Sequence, residues 1–196
     1  MSFNIPDPSR NQTQLIWNST YDFTINFFNQ RPELQVGLEV GVAGGMHIKS
    51  LMEKTNIKKI FGVDPYSPDS WDMFNFFDIE SEYGGFDGLY QEVSQLLSSY
   101  GSRTSLIRKT SKKASLDFEN ESLDFVFIDA AHDYDNCLND ISLWHPKVKA
   151  GGYVMGHDWE HPNHPGVQKA VLQYYKDKKS YINGFPAPAH CWYIQK

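Results

Sequence analysis

The sequence predicts an α/β fold with a doubly wound, mostly parallel β-sheet and helices on both faces. Three observations lead to this prediction. Residues 36–64 read as strand, glycine turn, helix and strand, which is a βαβ unit. Residues 123–128, LDFVFI, are almost entirely apolar, as central parallel strands tend to be. Strand-like and helix-like segments alternate through the 196 residues, a length that suits one domain with a full core.

The βαβ unit begins with a strand over Val36–Val40, which carries Glu39 near its carboxyl end. A glycine turn follows and allows close approach of a ligand to the backbone. Its glycines are Gly41, Gly44 and Gly45. The segment His47–Lys54 has helical spacing, and the second strand stops at Asp64. An acid about 20 residues beyond such a turn suits a nucleotide site, where it accepts hydrogen bonds from ribose hydroxyls.

Two segments flank this unit within the single predicted domain, residues 1–196. The N-terminal segment 1–33 predicts a helix over residues 14–28, interpreted as packing on an edge of the sheet, with a lid over the site as the alternative. Residues 65–100 read as an insertion after the second strand that caps the acceptor side, ending in a helix over Leu89–Tyr100. Its aromatic residues line either a ligand or a satellite core. They are Trp71, Phe74, Phe76, Phe77 and Tyr83.

Further strands and helices follow to the end of the chain. Strands are predicted over 104–109, 123–128, 153–155, 181–185 and 190–194, and helices near 134–144 and 167–175. Residues 149–152 read as the turn into the fifth strand. Asp133, Asp135 and Asp140 are expected on a solvated helix face.

The composition excludes several classes of function. A formal net charge of −6, from 18 basic and 24 acidic residues, argues against nucleic acid as a partner. No apolar run approaches the roughly 20 residues that span a bilayer, and the first residues do not resemble a secretion signal. Two distant cysteines indicate neither a disulfide framework nor a metal knuckle. We expect a cytoplasmic protein that acts on a small molecule, and a homodimer stays open.

Polar residues follow the predicted strands at their carboxyl ends, the edge at which doubly wound sheets bind ligands. These residues are Glu39, Asp64, Asp129, His132, His157 and Asp158. Three of them are candidates for a base: His132, His157 and Asp129. Ser111, after the third strand, is a candidate for contact with an adenine.

The segment from Glu39 to Gly45, EVGVAGG, resembles the E-x-G-x-G-x-G motif of class I S-adenosylmethionine (SAM) dependent methyltransferases, with Ala43 in place of the middle glycine. The later segment FIDAAHDYDNCLNDISLWHPKVKAGGYVMGHDW is similar to a bacterial group of methyltransferases with I-D-x-x-H-x-Y and G-H-D motifs. The resemblance covers residues 34–64 and 104–196 and leaves out 65–100.

The resemblance implies a Rossmann-like sheet of seven strands with an antiparallel last strand. It also implies SAM as the cofactor, with Glu39 near its methionine end and Asp64 on its ribose. The remaining cofactor positions are Gly41, Gly45, Ser111 and Asp129. Asp129 and Asp158 fall where catechol-type and some sugar O-methyltransferases place two magnesium ligands.

The third magnesium ligand of those enzymes, an Asp or Asn, is replaced here by Trp159. Oxygen ligands suit magnesium, whereas the neighbouring His157 and His161 suit zinc or another transition metal. The metal requirement therefore stays open.

These observations predict a SAM-dependent methyltransferase that acts on a hydroxyl of a small molecule or sugar. One alternative is an NAD(P)-dependent oxidoreductase, against which Ala43 and Met46 count because a G-x-G-x-x-G fingerprint needs glycine at both positions. The other alternative is a non-catalytic SAM-binding module.

Overall fold

The computed structural model describes residues 10–70 and 79–196, and within them seven strands form one sheet in the order β3-β2-β1-β4-β5-β7-β6. The strands are β1 (Val36–Val40), β2 (Lys59–Val63), β3 (Thr104–Ile107), β4 (Leu123–Ile128), β5 (Val148–Gly156), β6 (Asn183–Phe185) and β7 (Cys191–Gln195). Strands β1 to β5 pair in parallel, and β7 is antiparallel to both β5 and β6. The predicted fold class is confirmed.

Helices cover both faces of this sheet. They are α1 (Arg10–Asn29), α2 (Met46–Lys54), α3 (Phe86–Ser98), α4 (Ser111–Ala114), α5 (Tyr134–Trp144) and α6 (Pro165–Tyr174). The first three contribute to one core and the last three to a second core on the opposite face. Strand β4 serves both cores, with Phe125 and Phe127 on one face and Val126 and Ile128 on the other. None of the helices in the described ranges is long and apolar enough to cross a bilayer.

Helix α1 lies over the middle of the sheet and not on its edge, so the prediction of edge packing is wrong. The ring of Phe28 is 4.3 Å from that of Phe125 on β4. The ring of Phe27 is 5.1 Å from that of Tyr153 on β5. Because both are central strands, the aromatic face of α1 is buried in the core and its preceding turns extend to the carboxyl edge of the sheet.

Strand β5 is longer than predicted, because the expected turn at residues 149–152 is a bulge within it. Val148 pairs with Leu123, and Tyr153 already pairs with Phe125, so the extra residues bulge out of the sheet. Gly151 has a φ of 81°, which suits glycine, and it is exposed.

The described part of the insertion packs against the core. Trp71, Phe74, Phe76 and Phe77 lie outside the described residues. Residues 79–83 are helical, and α3 begins at Phe86, three residues before the predicted Leu89. The side chains of Ile79, Phe86 and Leu89 are buried in the same core as α2.

Asp140 is another departure, because it is only 5% exposed instead of solvated. Helix α5 turns it towards the sheet, on the side that also carries Ile141 and Trp144. Asp133, in contrast, caps α5 by accepting the backbone N–H of Asn136 at 3.0 Å.

Candidate active site

The glycine turn between β1 and α2 forms the floor of the site. Gly41 has a φ of 87°, and a Cβ added there would be 2.0 Å from the carbonyl oxygen of Asp129, so this position requires glycine. A Cβ added at Gly44 would meet no atom within 4 Å among the described residues. The turn is therefore packed against β4 on one side and open at Gly44.

Asp64, directly after β2, holds this turn through the backbone. Its Oδ2 accepts the N–H groups of Val42 at 3.0 Å and Ala43 at 3.1 Å. Its Oδ1 accepts the N–H of Tyr66 at 2.8 Å. Contact with a ribose hydroxyl stays a prediction.

Glu39, in β1, is buried and joined to the helices on that face. The Nδ1 of His47 lies 2.8 Å from its Oε2, and the Nε2 of His47 lies 2.8 Å from the Oγ1 of Thr24. Burial raises the pKa of Glu39, while His47 lowers it, and the charges of Asp129 and Asp64 raise it further. Three carboxylates therefore act on one another at the ends of β1, β2 and β4.

A second group of polar side chains follows β4 and β5. The Nδ1 of His157 is 3.5 Å from the Oδ1 of Asp129 and 3.4 Å from the Oδ2 of Asp158. The Nε2 of His132 is 3.1 Å from the same Oδ2. The structure thus brings all the predicted catalytic residues together.

The two acids change the protonation of His157. Burial by itself would lower the pKa of this imidazole, but Asp129 and Asp158 outweigh that effect and raise the pKa to about 10. At neutral pH His157 is a cation held between two carboxylates, which favours a positioning role over that of a base. Burial opposes the charge of Asp158, yet its bonds with His132 and His157 hold its pKa far below the usual range.

Helix α1 contributes residues to the site that were not among the predicted site residues. The Oγ1 of Thr20 is 3.0 Å from the Nε2 of His157, and Thr24, one turn later, bonds His47. Both threonines are buried among the aromatic residues of the helix. The sequence does carry a signal for these contacts, because two threonines lie four residues apart on the apolar face of the predicted helix. Hydroxyl groups that are buried on such a face require polar partners.

Further histidine rings extend this cluster along the loop after β5. The ring of His164 is 4.0 Å from that of His132 and 4.6 Å from that of His161. The ring of His161 is 4.9 Å from that of His190, whose Nδ1 donates to the carbonyl oxygen of Trp159 at 3.0 Å. His164 and His190 were not among the predicted site residues.

Ser111 begins α4, directly beyond β3, and its hydroxyl is turned towards α5. It accepts the indole N–H of Trp144 at 2.7 Å and also bonds Asp140. Burial raises the pKa of Asp140 to about 6, although the bond from Ser111 opposes the rise. Contact of Ser111 with an adenine stays a prediction.

The polar groups of the site fit SAM better than they fit magnesium. A cationic donor such as SAM suits three mutually repelling carboxylates beside an open glycine turn. Magnesium does not fit, because Asp129 and Asp158 face imidazole nitrogens and the third ligand position is apolar. That position, Trp159, is 7% exposed, and a Cβ at Gly184 would be 2.2 Å from its ring.

Comparison with known proteins identifies one family. The family model described as a methyltransferase domain matches residues 38–159, which is more than half of the chain. The match runs from β1 through the histidine and aspartate residues after β5. It therefore includes the glycine turn and the carboxyl ends of the first five strands.

Among individual relatives, uncharacterized protein R132 of Acanthamoeba polyphaga mimivirus is 24% identical over 73% of this chain. The chain spans 62% of that relative's length and 9% of the length of a second one, y4gI of Sinorhizobium fredii. SAH-bound methyltransferase PaMTH1 of Podospora anserina has a TM-score of 0.62 at 16% identity, covering 99% of this chain and 89% of that one. CalS11, a TDP-rhamnose 3'-O-methyltransferase, has a TM-score of 0.61 at 15% identity, covering 95% and 80%. These structural similarities show the fold.

Proposed function

The chain belongs to the methyltransferase-domain family, with the fold of class I SAM-dependent methyltransferases, and we propose that it transfers a methyl group from SAM to a hydroxyl of a small molecule or sugar. One observation carries the proposal. The carboxylates of Glu39, Asp64 and Asp129 converge on the glycine turn at the carboxyl edge of the sheet. A ligand with positive charge relieves their mutual repulsion.

SAM has that charge at its sulfonium and α-ammonium groups. We assign Glu39 and Asp129 to its methionine end, Asp64 to its ribose and Ser111 to the adenine side. The open side of Gly44 leaves room beside Gly41 and Gly45 for the donor to approach the backbone. NAD(P) lacks the concentrated positive charge that this arrangement favours.

The chemistry is an in-line displacement. The acceptor oxygen forms a bond to the methyl carbon as the bond between that carbon and sulfur breaks, and S-adenosylhomocysteine leaves with a neutral sulfur. The donor supplies the activation, so the protein mainly positions the reactants. The hydroxyl also loses a proton, and we assign assistance in this step to His132, which is oriented by Asp158.

The acceptor would approach from the side of the insertion. Residues 65–100 begin directly after β2 at the edge that carries Asp64, and we propose that they select the acceptor. Asp129 and His132 are half-buried, so both remain accessible from this edge. The CalS11 enzyme, which methylates a sugar hydroxyl, supports a sugar as one class of acceptor.

Calorimetry with the full chain tests the proposal. We expect binding of SAM and S-adenosylhomocysteine and no binding of NADH. Isotope-labelled SAM with a panel of phenols, sugars and nucleotide sugars should then give a labelled ether. Absence of SAM binding would overturn the proposal. Binding without label transfer to any acceptor would favour the non-catalytic module.

His132 has a matched control in His145, which lies outside the site and bonds the hydroxyl of Tyr175 at 3.0 Å. We expect His132→Gln to retain SAM binding and to reduce turnover by at least 100-fold. His145→Gln should retain both. Equal turnover in the two variants would remove His132 from the mechanism.

A further inference from the structure

Five of the seven histidines form one cluster around the loop after β5. They are His132, His157, His161, His164 and His190. We propose that three residues of this cluster, His132, Asp158 and His164, bind a transition-metal ion of the zinc type. The ion would replace the magnesium that the family resemblance implies.

The distances between the three candidate ligand atoms are close to those in an occupied metal site. One ligand atom from each of the three residues lies within 4.8 Å of the others. The Nε2 of His132 is 3.1 Å from the Oδ2 of Asp158. Ligands that share one zinc ion at 2.0–2.2 Å in tetrahedral geometry stand about 3.3–3.6 Å apart, so this pair is within a few tenths of an ångström of the required distance. His164 has the larger movement to make.

His164 can make that movement. It lies half-buried at the end of the loop, directly before α6, and its ring lies against that of His132. A rotation of its side chain about χ1 and χ2 would change the direction of its nitrogens. His132 and Asp158 follow the paired strands β4 and β5, which need not move.

The chemistry of the donors selects the ion. Magnesium prefers six oxygen ligands and keeps several waters, whereas imidazole suits zinc, cobalt, nickel and copper. Two imidazoles and one carboxylate form a set that zinc enzymes use with an open fourth position. Trp159, which follows Asp158, supplies no donor of the kind that magnesium requires.

Surrounding groups hold the ligands as they do in metal sites. His157 faces the same oxygen of Asp158 at 3.4 Å, and Thr20 bonds the other side of His157. The ring of His161 stacks on that of His164. A ligating carboxylate and imidazole are usually oriented by such outer contacts.

A second set, Asp129, His157 and Asp158, also has its ligand atoms within 4.8 Å. We favour the first set because it contains two imidazoles and one carboxylate, whereas the second contains one imidazole and two carboxylates. Imidazole suits transition metals better than carboxylate does. In the second set, the Nδ1 of His157 also lies between two carboxylates, and its Nε2 is bonded to Thr20.

A metal ion at this position refines the proposed function, and its binding does not depend on SAM. In the loaded protein His132 would assist proton loss as a ligand of the ion, which lowers the pKa of a bound hydroxyl. If no metal binds, His132 remains the direct proton acceptor and the proposed function stands.

Metal titration of the full chain, first stripped with a chelator, tests the inference. Zn²⁺ is measured by competition with a chromophoric chelator, Co²⁺ by its visible absorption, and Mg²⁺ by calorimetry. We expect one Zn²⁺ per chain, bound at least 100-fold more tightly than Mg²⁺, and a Co²⁺ spectrum typical of nitrogen ligation. Equal affinities for Zn²⁺ and Mg²⁺, or no bound Zn²⁺, would overturn the proposal.

Variants distinguish the two ligand sets. His164→Gln and His132→Gln should each lower Zn²⁺ affinity by at least tenfold, whereas Asp129→Asn and the control His145→Gln, which lies outside the cluster, should each change it by less than threefold. His164→Gln is the principal variant because its side chain is half-buried in a loop. Loss of affinity in Asp129→Asn with retention in His164→Gln would contradict the assigned set. Thermal unfolding of each variant separates loss of ligation from loss of fold.

Discussion

Gly44 is the residue where the site can be probed without disturbing the fold. Its φ is not in the left-handed region, and a methyl group there would have no atom of residues 10–70 or 79–196 within 4 Å. We therefore expect Gly44→Ala to retain or slightly raise stability, by up to about 1 kcal/mol, because alanine restricts the unfolded chain. The same methyl group would occupy space proposed for SAM.

Calorimetry should then show at least a tenfold weaker affinity for SAM in Gly44→Ala, with a melting temperature that is unchanged or slightly higher. Gly41→Ala is the contrasting variant. Its Cβ would meet the Asp129 carbonyl oxygen at 2.0 Å, so it should lower the melting temperature itself. Undiminished SAM binding by Gly44→Ala would mean that the donor does not approach this turn.

Asp140 makes the stability of the protein depend on pH. Its folded-state pKa of about 6 lies above the ordinary value of 3.8, so the folded state resists ionisation of this carboxyl group. The penalty is absent below pH 4, grows between pH 4 and 6, and is complete above pH 6. Its upper bound is about 3 kcal/mol.

Asp140→Asn removes this penalty and keeps an oxygen for the hydroxyl of Ser111. We expect the variant to be more stable than the parent protein at pH 8, by about 1–3 kcal/mol, and equal to it near pH 4. Urea unfolding at both pH values measures the difference. A difference of the same size at pH 4 and pH 8 would contradict the assignment.

Individual site residues were predictable where a short rule applied. Asp64 and Asp129 directly follow parallel strands, and Asp158 is the second residue after another. Parallel strands place their carboxyl ends at one edge of a sheet. The burial of Asp140 was not predictable, because a single acid on a helix has no sequence signal for a partner 29 residues away, as Ser111 is.

At the level of elements, α1 connects the two halves of the site. Thr24 bonds His47, which holds Glu39 on the donor side, and Thr20 bonds His157 between the acids on the acceptor side. We expect Thr24→Val to weaken SAM binding several-fold. Thr20→Val should retain SAM binding and lower the turnover number.

Calorimetry and turnover measurements with the two variants test this separation. Thr24→Ser and Thr20→Ser are the controls, because serine keeps the hydroxyl and should restore both properties. Each lost hydrogen bond should also cost about 1 kcal/mol of stability. If both valine variants changed only the melting temperature, the threonines would have a structural role alone.

Strand β7 explains why some site residues were missed. It runs antiparallel to its neighbours, so its amino end lies at the edge where the other strands have their carboxyl ends. His190, directly before β7, therefore reaches the site. The rule that ligands bind beyond the carboxyl ends of parallel strands does not consider residues that precede a strand.

For the whole molecule, the two cores share β4, so they should unfold together. Leu51 is buried in the core on the α2 side, and Ile141 is buried on the α5 side. We expect Leu51→Ala and Ile141→Ala each to lower the free energy of unfolding by about 2–5 kcal/mol within one transition. Far-ultraviolet circular dichroism and tryptophan fluorescence should give the same midpoint in guanidinium chloride. Separate midpoints for the two probes would show independent cores.

The general architecture was predictable because alternating strands and helices with short connections leave few arrangements of the chain. All seven strands lie where the apolar pattern placed them, with ends that differ by a few residues. The location of α1 was not predictable in the same way, since an aromatic helix can pack on an edge or on a face with the same sequence pattern.

The packing of Trp159 under Gly184 has a consequence for descent within the family. A lineage with this chain's loop cannot reach a magnesium-type ligand set by exchanging one codon, because aspartate in place of the tryptophan would leave a cavity and put a charge into it. A larger residue at position 184 would clash with the ring while Trp159 is present, so neither change is tolerated without the other. Relatives with histidine-rich loops and relatives with a run of acids there should therefore form separate branches, with few intermediates between them.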